Sequence, residues 1–306
     1  MNTARACTTT TPTTALRTKR TLRLPARPRG ASGREARPAL SFPVAGMSLI
    51  ELEKALAERR VTLLLQPQID LATGSTSGVE TLARIVGPGG ELIGPAEFVP
   101  LAERSGLIRP LGRELFRLAC EAARELAAAG HPDLRVAINL SVVQISDPEE
   151  VGILLAILAA SGATPSQLEI ELTESAAIQN FAVVHDQLQR FRALGLSVAI
   201  DDFGTGFCSL TYLLELDVDR LKIDRLFIQA IDRGDRSNLA DTVITLGKKL
   251  SLDVVAEGVE TESEARWLRR HHCPAAQGFL FSRPVPLAEL LASLPAGPAH
   301  DAAPAH

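Results

Sequence analysis

Val198-Ala199-Ile200-Asp201-Asp202 and, a short helix-length later, Arg220-Leu221-Lys222-Ile223-Asp224 are apolar runs that end in charge. Four more runs in the second half of the chain share the design: Val136-Ala137-Ile138-Asn139, Leu168-Glu169-Ile170-Glu171, Val254-Val255-Ala256-Glu257 and Gln277-Gly278-Phe279-Leu280-Phe281. Each is short and β-branched enough for a buried strand, and helix-like stretches separate most of them. That alternation predicts a β/α barrel, in which functional groups gather at one rim from many strand ends.

Upstream, Val61–Gln66 and Gly78–Ile85 are two further strand candidates joined by a turn at Leu71-Ala72-Thr73-Gly74. A parallel crossover needs a dozen or more residues, so these two must run antiparallel. The reading is therefore an α/β fold, a TIM-like (β/α)8 barrel whose first strand is antiparallel to the rest. Helices are predicted over Pro95–Glu103, Leu111–Ala129, Pro148–Ala160, Ala176–Leu194, Gly206–Leu214, Asn238–Leu250, Glu260–Arg270 and Leu287–Leu294. The one at Gly206–Leu214 is too short for ordinary crossover packing, and irregular connections at an active rim usually carry function.

At 306 residues the chain can bury one large core. No apolar run reaches the roughly 18–20 residues of a membrane span. The longest, Val151 to Ala160, lies between Glu149-Glu150 and Ser161-Gly162 and reads as a buried helix. Cys7, Cys120, Cys208 and Cys273 form no CxxC pair and no metal spacing, which suits reduced thiols and a cytoplasmic location. The net charge of −4 hides an asymmetry: residues 1–46 hold nine Arg/Lys against Glu35 alone, or +8, leaving −12 for residues 47–306. This leader, rich in Thr, Arg and Pro, has no apolar stripe or signal-peptide core. It reads as a disordered basic leader, or as the product of a start set upstream of a true one at Met47; attachment to nucleic acid or anionic lipid is the third reading. Residues 47–296 form the predicted barrel and 297–306 a disordered tail. That length leaves no room for a sensor or cyclase domain, so regulation is expected through partners, ligand or dimerisation.

The chemistry follows from ligand types. Glu80, Asn139, Glu171, Asp201, Asp202 and Glu257 all fall at strand positions near one rim, with no histidine at any strand end. Carboxylate and amide oxygens are hard ligands that suit Mg2+ or Mn2+, whereas zinc favours His or Cys. Five carboxylates at one rim repel one another unless cations neutralise them. Two divalent ions about 4 Å apart, bridged by Asp201 or a water, would do so and would suit in-line attack on a phosphodiester. Lys222 shares its strand face with Arg220 and Asp224; a lysine facing a barrel interior needs an anion, here a phosphate oxygen or the attacking water.

The same residues sit in a set of motifs. In order they are Gln66-Pro67, Asp70-Leu71, Thr73-Gly74, Glu80-Thr81-Leu82-Ala83-Arg84, Phe98-Val99-Pro100-Leu101-Ala102-Glu103, Asn139-Leu140-Ser141, Glu171-Leu172-Thr173-Glu174, Asp201-Asp202-Phe203-Gly204-Thr205-Gly206, Lys222-Ile223-Asp224, Glu257-Gly258-Val259-Glu260-Thr261 and Gln277-Gly278-Phe279. Each is weak alone; in this order and spacing they are specific. Across roughly residues 48–294 the chain resembles the EAL-domain cyclic di-GMP phosphodiesterases.

That resemblance implies hydrolysis of cyclic di-GMP to linear 5′-pGpG, with two Mg2+ or Mn2+ ions per site. It makes Glu80, Asn139, Glu171 and Asp201 ligands of one metal and gives Asp201 and Asp202 to the second. Lys222 and Glu257 would hold or deprotonate the nucleophilic water. Glu174 would brace the loop Asp202–Cys208, and Gln66, Arg84 and Gln277 would contact the dinucleotide. The family further implies a homodimer through residues 202–214, with no DNA partner and no membrane span. The alternative is a cyclic di-GMP receptor or interaction module of weak or no catalysis; such a protein is expected to have lost some of Glu80, Asn139, Asp201 or Lys222, and all four are present.

Departures from the signature fall on one side of a strand. Thr81, Ala83 and Ile85 stand where the family usually carries Ala, Leu and Trp. Successive strand side chains alternate, so Glu80, Leu82 and Arg84 keep one face while the three altered residues share the other, which packs on outer helices. Leu65 and Cys208 also differ from the common aromatic and serine. His271-His272-Cys273 suggests a metal site at first sight, but adjacent His side chains diverge and no fourth ligand is near in sequence.

Overall fold

The computed structural model describes residues 47–204, 210–232 and 239–295. Its sheet is built from β1 (Val61–Asp70), β2 (Thr76–Val86), β3 (Leu92–Ile93), β4 (Arg135–Asn139), β5 (Leu168–Thr173), β6 (Ser197–Phe203), β7 (Arg220–Ile223), β8 (Asp253–Ala256) and β9 (Ala275–Ala276). Strands pair in the order β1-β9-β8-β7-β6-β5-β4-β2, and a β1–β2 ladder closes the ring; β3 lies outside it on β2. From β2 through β9 the ring neighbours run parallel, while β1 is antiparallel to both β2 and β9. The result is a closed eight-stranded barrel with one reversed strand, as the short first turn requires. Asp70 fixes that turn: its Oδ1 accepts from the backbone N–H groups of Ala72 and Thr73 at 2.9 and 2.7 Å, an Asx arrangement that substitutes for backbone pairing.

The helices are α1 (Leu49–Ala57), α2 (Pro95–Ser105), α3 (Ile108–Ala128), α4 (Val142–Ile145), α5 (Pro148–Ser161), α6 (Glu174–Ile178), α7 (Phe181–Arg192), α8 (Leu210–Glu215), α9 (Arg225–Asp232), α10 (Leu239–Leu250), α11 (Glu262–Arg270) and α12 (Leu287–Ser293). The main core lies between the barrel and its outer helices, around Phe116, Leu154, Leu188 and Phe191. A second cluster, with Leu52, Ile85, Phe98 and Leu111, covers the far end of β1 and β2. Ile85 packs there and Thr81 is buried beside β4, so the altered signature positions do face outward, away from the barrel interior.

Two sequence expectations need correction. The eighth strand is Ala275–Ala276, not Gln277–Phe281, which turns back on itself: Phe281 and Ser282 both donate to Gly278 O at 3.1 Å. A Cβ on Gly278 would lie 2.1 Å from Val259 O, so the chain folds tightly against the preceding loop there and cannot continue as a strand. The helix expected over Ala176–Leu194 is two, because Asn180 adopts φ 56° and breaks the path between α6 and α7. The stretch after Asp224, for which no element was predicted, is helical as α9.

The interior below the rim holds charge. Arg220 Nη1 donates to Gln68 Oε1 at 3.0 Å and to Glu169 Oε1 at 3.1 Å, and Arg135 Nη1 reaches Glu169 Oε2 at 3.3 Å. Glu169 and Glu171 alternate onto the same barrel face, one serving this floor and the other the rim.

Candidate active site

Lys222 occupies the centre of the rim end of the barrel and is fully buried. Its Nζ lies 2.7 Å from Glu257 Oε1, 2.8 Å from Glu171 Oε2, and 3.5 Å from both Glu80 Oε2 and Asp201 Oδ1. Four strands therefore deliver four carboxylates to one ammonium. Burial works to discharge Lys222, but the surrounding carboxylates win and hold its pKa well above the usual lysine value.

One cation cannot balance that ring. Burial, reinforced by Glu80 and Asp201, pushes Glu171 well above the ordinary carboxylate range. Burial likewise lifts Glu257 to about 8 and, with help from Asp201, lifts Asp202 to about 6. Glu80 goes the other way: burial opposes its charge, yet Lys222 and two hydrogen bonds bring its pKa below normal. Those bonds come from Gln277 Nε2 to Oε2 at 2.6 Å and from Asn139 Nδ2 to Oε1 at 2.9 Å. Gln277 Nε2 also reaches Gln66 Oε1 at 3.1 Å, so β1, β2, β4 and the turn after β9 meet on one carboxylate.

The donor set fits divalent cations. Oxygens of Glu80, Glu171 and Asp201 lie within 4.8 Å of one another, and so do oxygens of Asp201, Asp202 and Glu257, with Asp201 common to both groups. Glu171 Oε1 is buried with no hydrogen-bond partner, an orphaned oxygen of the kind a metal satisfies. All these donors are oxygens, the ligand type of Mg2+ and Mn2+.

At the end of β6 the backbone is unusual. Asp202 has φ 53° and Gly204 φ 100°. Gly204 N–H donates to Glu174 Oε2 at 2.8 Å, and a Cβ there would meet Phe227 at 3.0 Å, so this position requires glycine. The segment Thr205–Ser209, including Cys208, lies outside the described residues.

The structure thus gathers Gln66, Glu80, Asn139, Glu171, Asp201, Asp202, Lys222, Glu257 and Gln277 at one end, with Glu174 bracing the edge. A cleft of about 270 Å3 opens over them, walled by Gln66, Glu80, Asp202, Asp224, Arg225 and Glu257 among others. Arg84 is not in that wall; its Nη1 donates to Ala83 O at 2.8 Å. Sequence reading assigned no role to Asp224 or Arg225, nor to Phe279, whose half-exposed ring carries the Arg283 guanidinium 4.4 Å from its centroid. Asp224 ends a strand run as the metal-type acids do; Arg225 and Arg283 gave no signal.

Comparison with known proteins places this geometry in context. The family model for the EAL domain matches residues 50–284. The chain is 42% identical over 241 residues to the cyclic di-GMP phosphodiesterase NbdA of Pseudomonas aeruginosa, covering 78% of this chain and 31% of that protein. It is 39% identical over 247 residues to the bifunctional diguanylate cyclase/cyclic di-GMP phosphodiesterase MucR of the same organism, covering 80% of this chain and 36% of MucR. It therefore spans about a third of the length of these relatives. Among solved structures, the PaMucR phosphodiesterase in complex with c-di-GMP superposes with a TM-score of 0.76 at 39% identity, covering 79% of this chain and 98% of that one. The EAL enzyme Bd1971, bound to cAMP and cyclic di-GMP, gives a TM-score of 0.75 at 29% identity over 80% of this chain and 68% of its own.

Proposed function

This chain belongs to the EAL-domain family, and we propose that it is a metal-dependent phosphodiesterase that hydrolyses cyclic di-GMP to linear 5′-pGpG. The observation that carries this is the ring of Glu80, Glu171, Asp201 and Glu257 around the buried Lys222. A receptor without catalysis has no need to bury so much uncompensated charge.

In this reading Glu80, Asn139, Glu171 and Asp201 hold one divalent ion, and Asp201 and Asp202 hold a second. When bound, such ions supply Lewis acidity and bring the pKa of a water toward 7. Lys222 points its ammonium at the attacking water and the phosphoryl oxygen. Burial favours the protonated form of Glu257 in the metal-free ring; with divalent ions bound it would be ionised and would take the proton lost by that water. The water oxygen bonds to phosphorus as the P–O3′ bond breaks; the 3′ oxygen leaves with the electron pair of that bond and takes up a proton, equivalent to the one removed from the water, to become a hydroxyl, giving a 5′-phosphate on the opened dinucleotide. Gln66 and Gln277, already linked across the cleft, contact the substrate; the same role for Arg84, which lies outside the cleft wall, rests on the family resemblance alone.

Glu174 holds the backbone at Gly204 and so sets the path of the segment that follows Asp202. We assign a homodimer contact to residues 202–214. On α8, Leu213 is buried, whereas Leu214 is 63% exposed; Tyr212 leans on Phe181 at 4.8 Å. Residues 47–296 form the catalytic unit, working in the cytoplasm. No described helix is long and apolar enough to cross a membrane.

The test is turnover of cyclic di-GMP by the purified chain with Mn2+, with Mg2+ and with chelator. Metal-dependent appearance of 5′-pGpG supports the proposal. Tight binding of cyclic di-GMP without any product would replace it with the receptor reading.

A further inference from the structure

A second cavity, of about 530 Å3, lies behind β2 on the face turned away from the metal-type carboxylates. Its apolar wall includes Leu63, Ala83, Val99, Ile108, Leu111 and Leu115, contributed by the β1–β2 ladder and by α2 and α3. Well-packed interiors leave few voids larger than a water, and 300–1,000 Å3 is the range of small-molecule pockets. One cause of the space is visible in sequence: Ala83 stands where the family signature carries leucine.

Three polar residues of the wall, Glu103, Ser141 and Gln144, are linked to one another by hydrogen bonds. Gln144 is buried, its Oε1 accepts from Ser141 N–H at 3.3 Å, and its Nε2 has no hydrogen-bond partner. Glu103 Oε1 accepts from Ser141 Oγ at 2.6 Å. Glu103, Ser141 and Gln144 all belong to the cavity wall. This linked group thus offers an idle donor on Gln144 and, through Ser141, a carboxylate acceptor on Glu103. A neutral amide, with one carbonyl and two N–H groups, complements both; a carboxylate would meet Glu103 as a like charge.

We infer that this cavity is a binding site for a small, mainly aliphatic molecule that ends in a neutral amide-type group. Occupancy bears on the rim through two bonds. Ser141, which caps α4, is tied to Glu103 inside the cavity, and Asn139, two residues earlier, lines the same wall and donates to Glu80. A ligand that competes for Glu103 shifts Ser141 and, with it, the amide of Asn139. This consequence for activity rests on the phosphodiesterase reading; the binding itself does not.

Decanamide is the probe, titrated calorimetrically into the full chain. Saturable binding is expected, with decanoate at least tenfold weaker. Ala83→Leu, which restores the leucine bulk on the outward face, should weaken decanamide binding at least tenfold while keeping the thermal midpoint at or above wild type. Ala96→Leu, at an exposed position of the wall on α2, is the second block if the first variant misfolds. The inference fails if wild type binds no decanamide up to its solubility limit, if the filled variants bind as tightly, or if decanoate binds as well. Unchanged cyclic di-GMP turnover on saturation with decanamide would remove the regulatory link and leave the site. Absent turnover in wild type would count against the phosphodiesterase reading alone.

Discussion

Lys222 Nζ stands 2.8 Å from Glu171 Oε2, and neither side chain has any exposure to solvent. Breaking a buried pair by removing one partner typically costs about 3–5 kcal/mol, because the remaining charge has no water to turn to. Here the residue lost would leave four carboxylates facing one another. Lys222→Ala should therefore lower the melting temperature of the chelated protein clearly, and Mn2+ should restore more stability to the variant than to wild type. Turnover should fall about 10²–10³-fold, the usual loss for a preorganised electrostatic donor. An unchanged midpoint in chelator would show that Lys222 does not hold the ring together.

Glu80 receives amide donors from both Asn139 and Gln277. Glu80→Gln preserves shape but replaces an anionic oxygen with a neutral amide and sets N–H groups against N–H groups. Metal affinity, read by calorimetric titration of Mn2+, should drop about 10–100-fold or more. Retained hydrolysis above about a tenth of wild type would remove Glu80 from the ligand set.

The Glu174–Gly204 bond separates a positioning role from a ligand role. Glu174→Gln keeps an oxygen that can accept the Gly204 N–H, whereas Glu174→Ala keeps none. Charge-assisted hydrogen bonds contribute about 1.5–3 kcal/mol. The expected order of turnover is wild type, then Gln, then Ala, with Mn2+ affinity at the Glu80–Glu171 group unchanged throughout. Sedimentation should show a weaker dimer for Glu174→Ala if residues 202–214 form the contact. Equal loss of metal binding and rate would make Glu174 a ligand instead.

Cys120 and Cys273 are buried and free. Burial pushes their thiols up to about 11 and about 12 respectively, and the thiolate is the reactive form. Iodoacetamide at pH 8 should leave both unmodified in the folded protein and label both after denaturation, as peptide mass mapping would show. Rapid native labelling of Cys273 would mean that the turn between α11 and β9 opens.

Most of the rim was legible because strand periodicity is a strict signal. An acid at the polar end of a buried run can point only inward or outward, and the alternation Glu80, Leu82, Arg84 against Thr81, Ala83, Ile85 settled which. The antiparallel start followed from chain length, since the eleven residues between Gln66 and Gly78 fall short of the dozen or more that a crossover needs. What sequence could not show was set by long-range packing. The floor pair Arg220–Glu169 joins β7 to β5, and Ser141–Glu103 joins the rim to α2; neither has a local pattern. The last strand was misplaced because Gln277–Phe281 has strand composition, while the tight approach of Gly278 to Val259 that bends it is a tertiary contact. Asn180 broke a helix by a left-handed backbone that asparagine tolerates and periodicity does not register.

The last prediction concerns pH, and its sign depends on metal. In the metal-free state four rim or interior carboxyls are shifted upward: Glu169 to about 7, mainly by burial, Asp202 to about 6, Glu257 to about 8, and Glu171 well above the ordinary carboxylate range. Between their ordinary values near 4 and these raised values, the folded protein binds more protons than the unfolded chain. Stability must then fall as pH rises, because the slope follows protons bound unfolded minus folded. The chelated protein should lose thermal stability from about pH 5 to pH 8. Divalent ions reverse this trend at the rim: ligands must be deprotonated to bind, so metal affinity, and the stability it adds, grows with pH. Melting curves in chelator and in excess Mn2+ should therefore diverge as pH increases, most steeply between about 6 and 8. Glu257→Gln should flatten the chelated curve in the upper part of that window. Parallel curves across the range would show that these carboxyls are already ionised without metal, and that Lys222 alone suffices to compensate them.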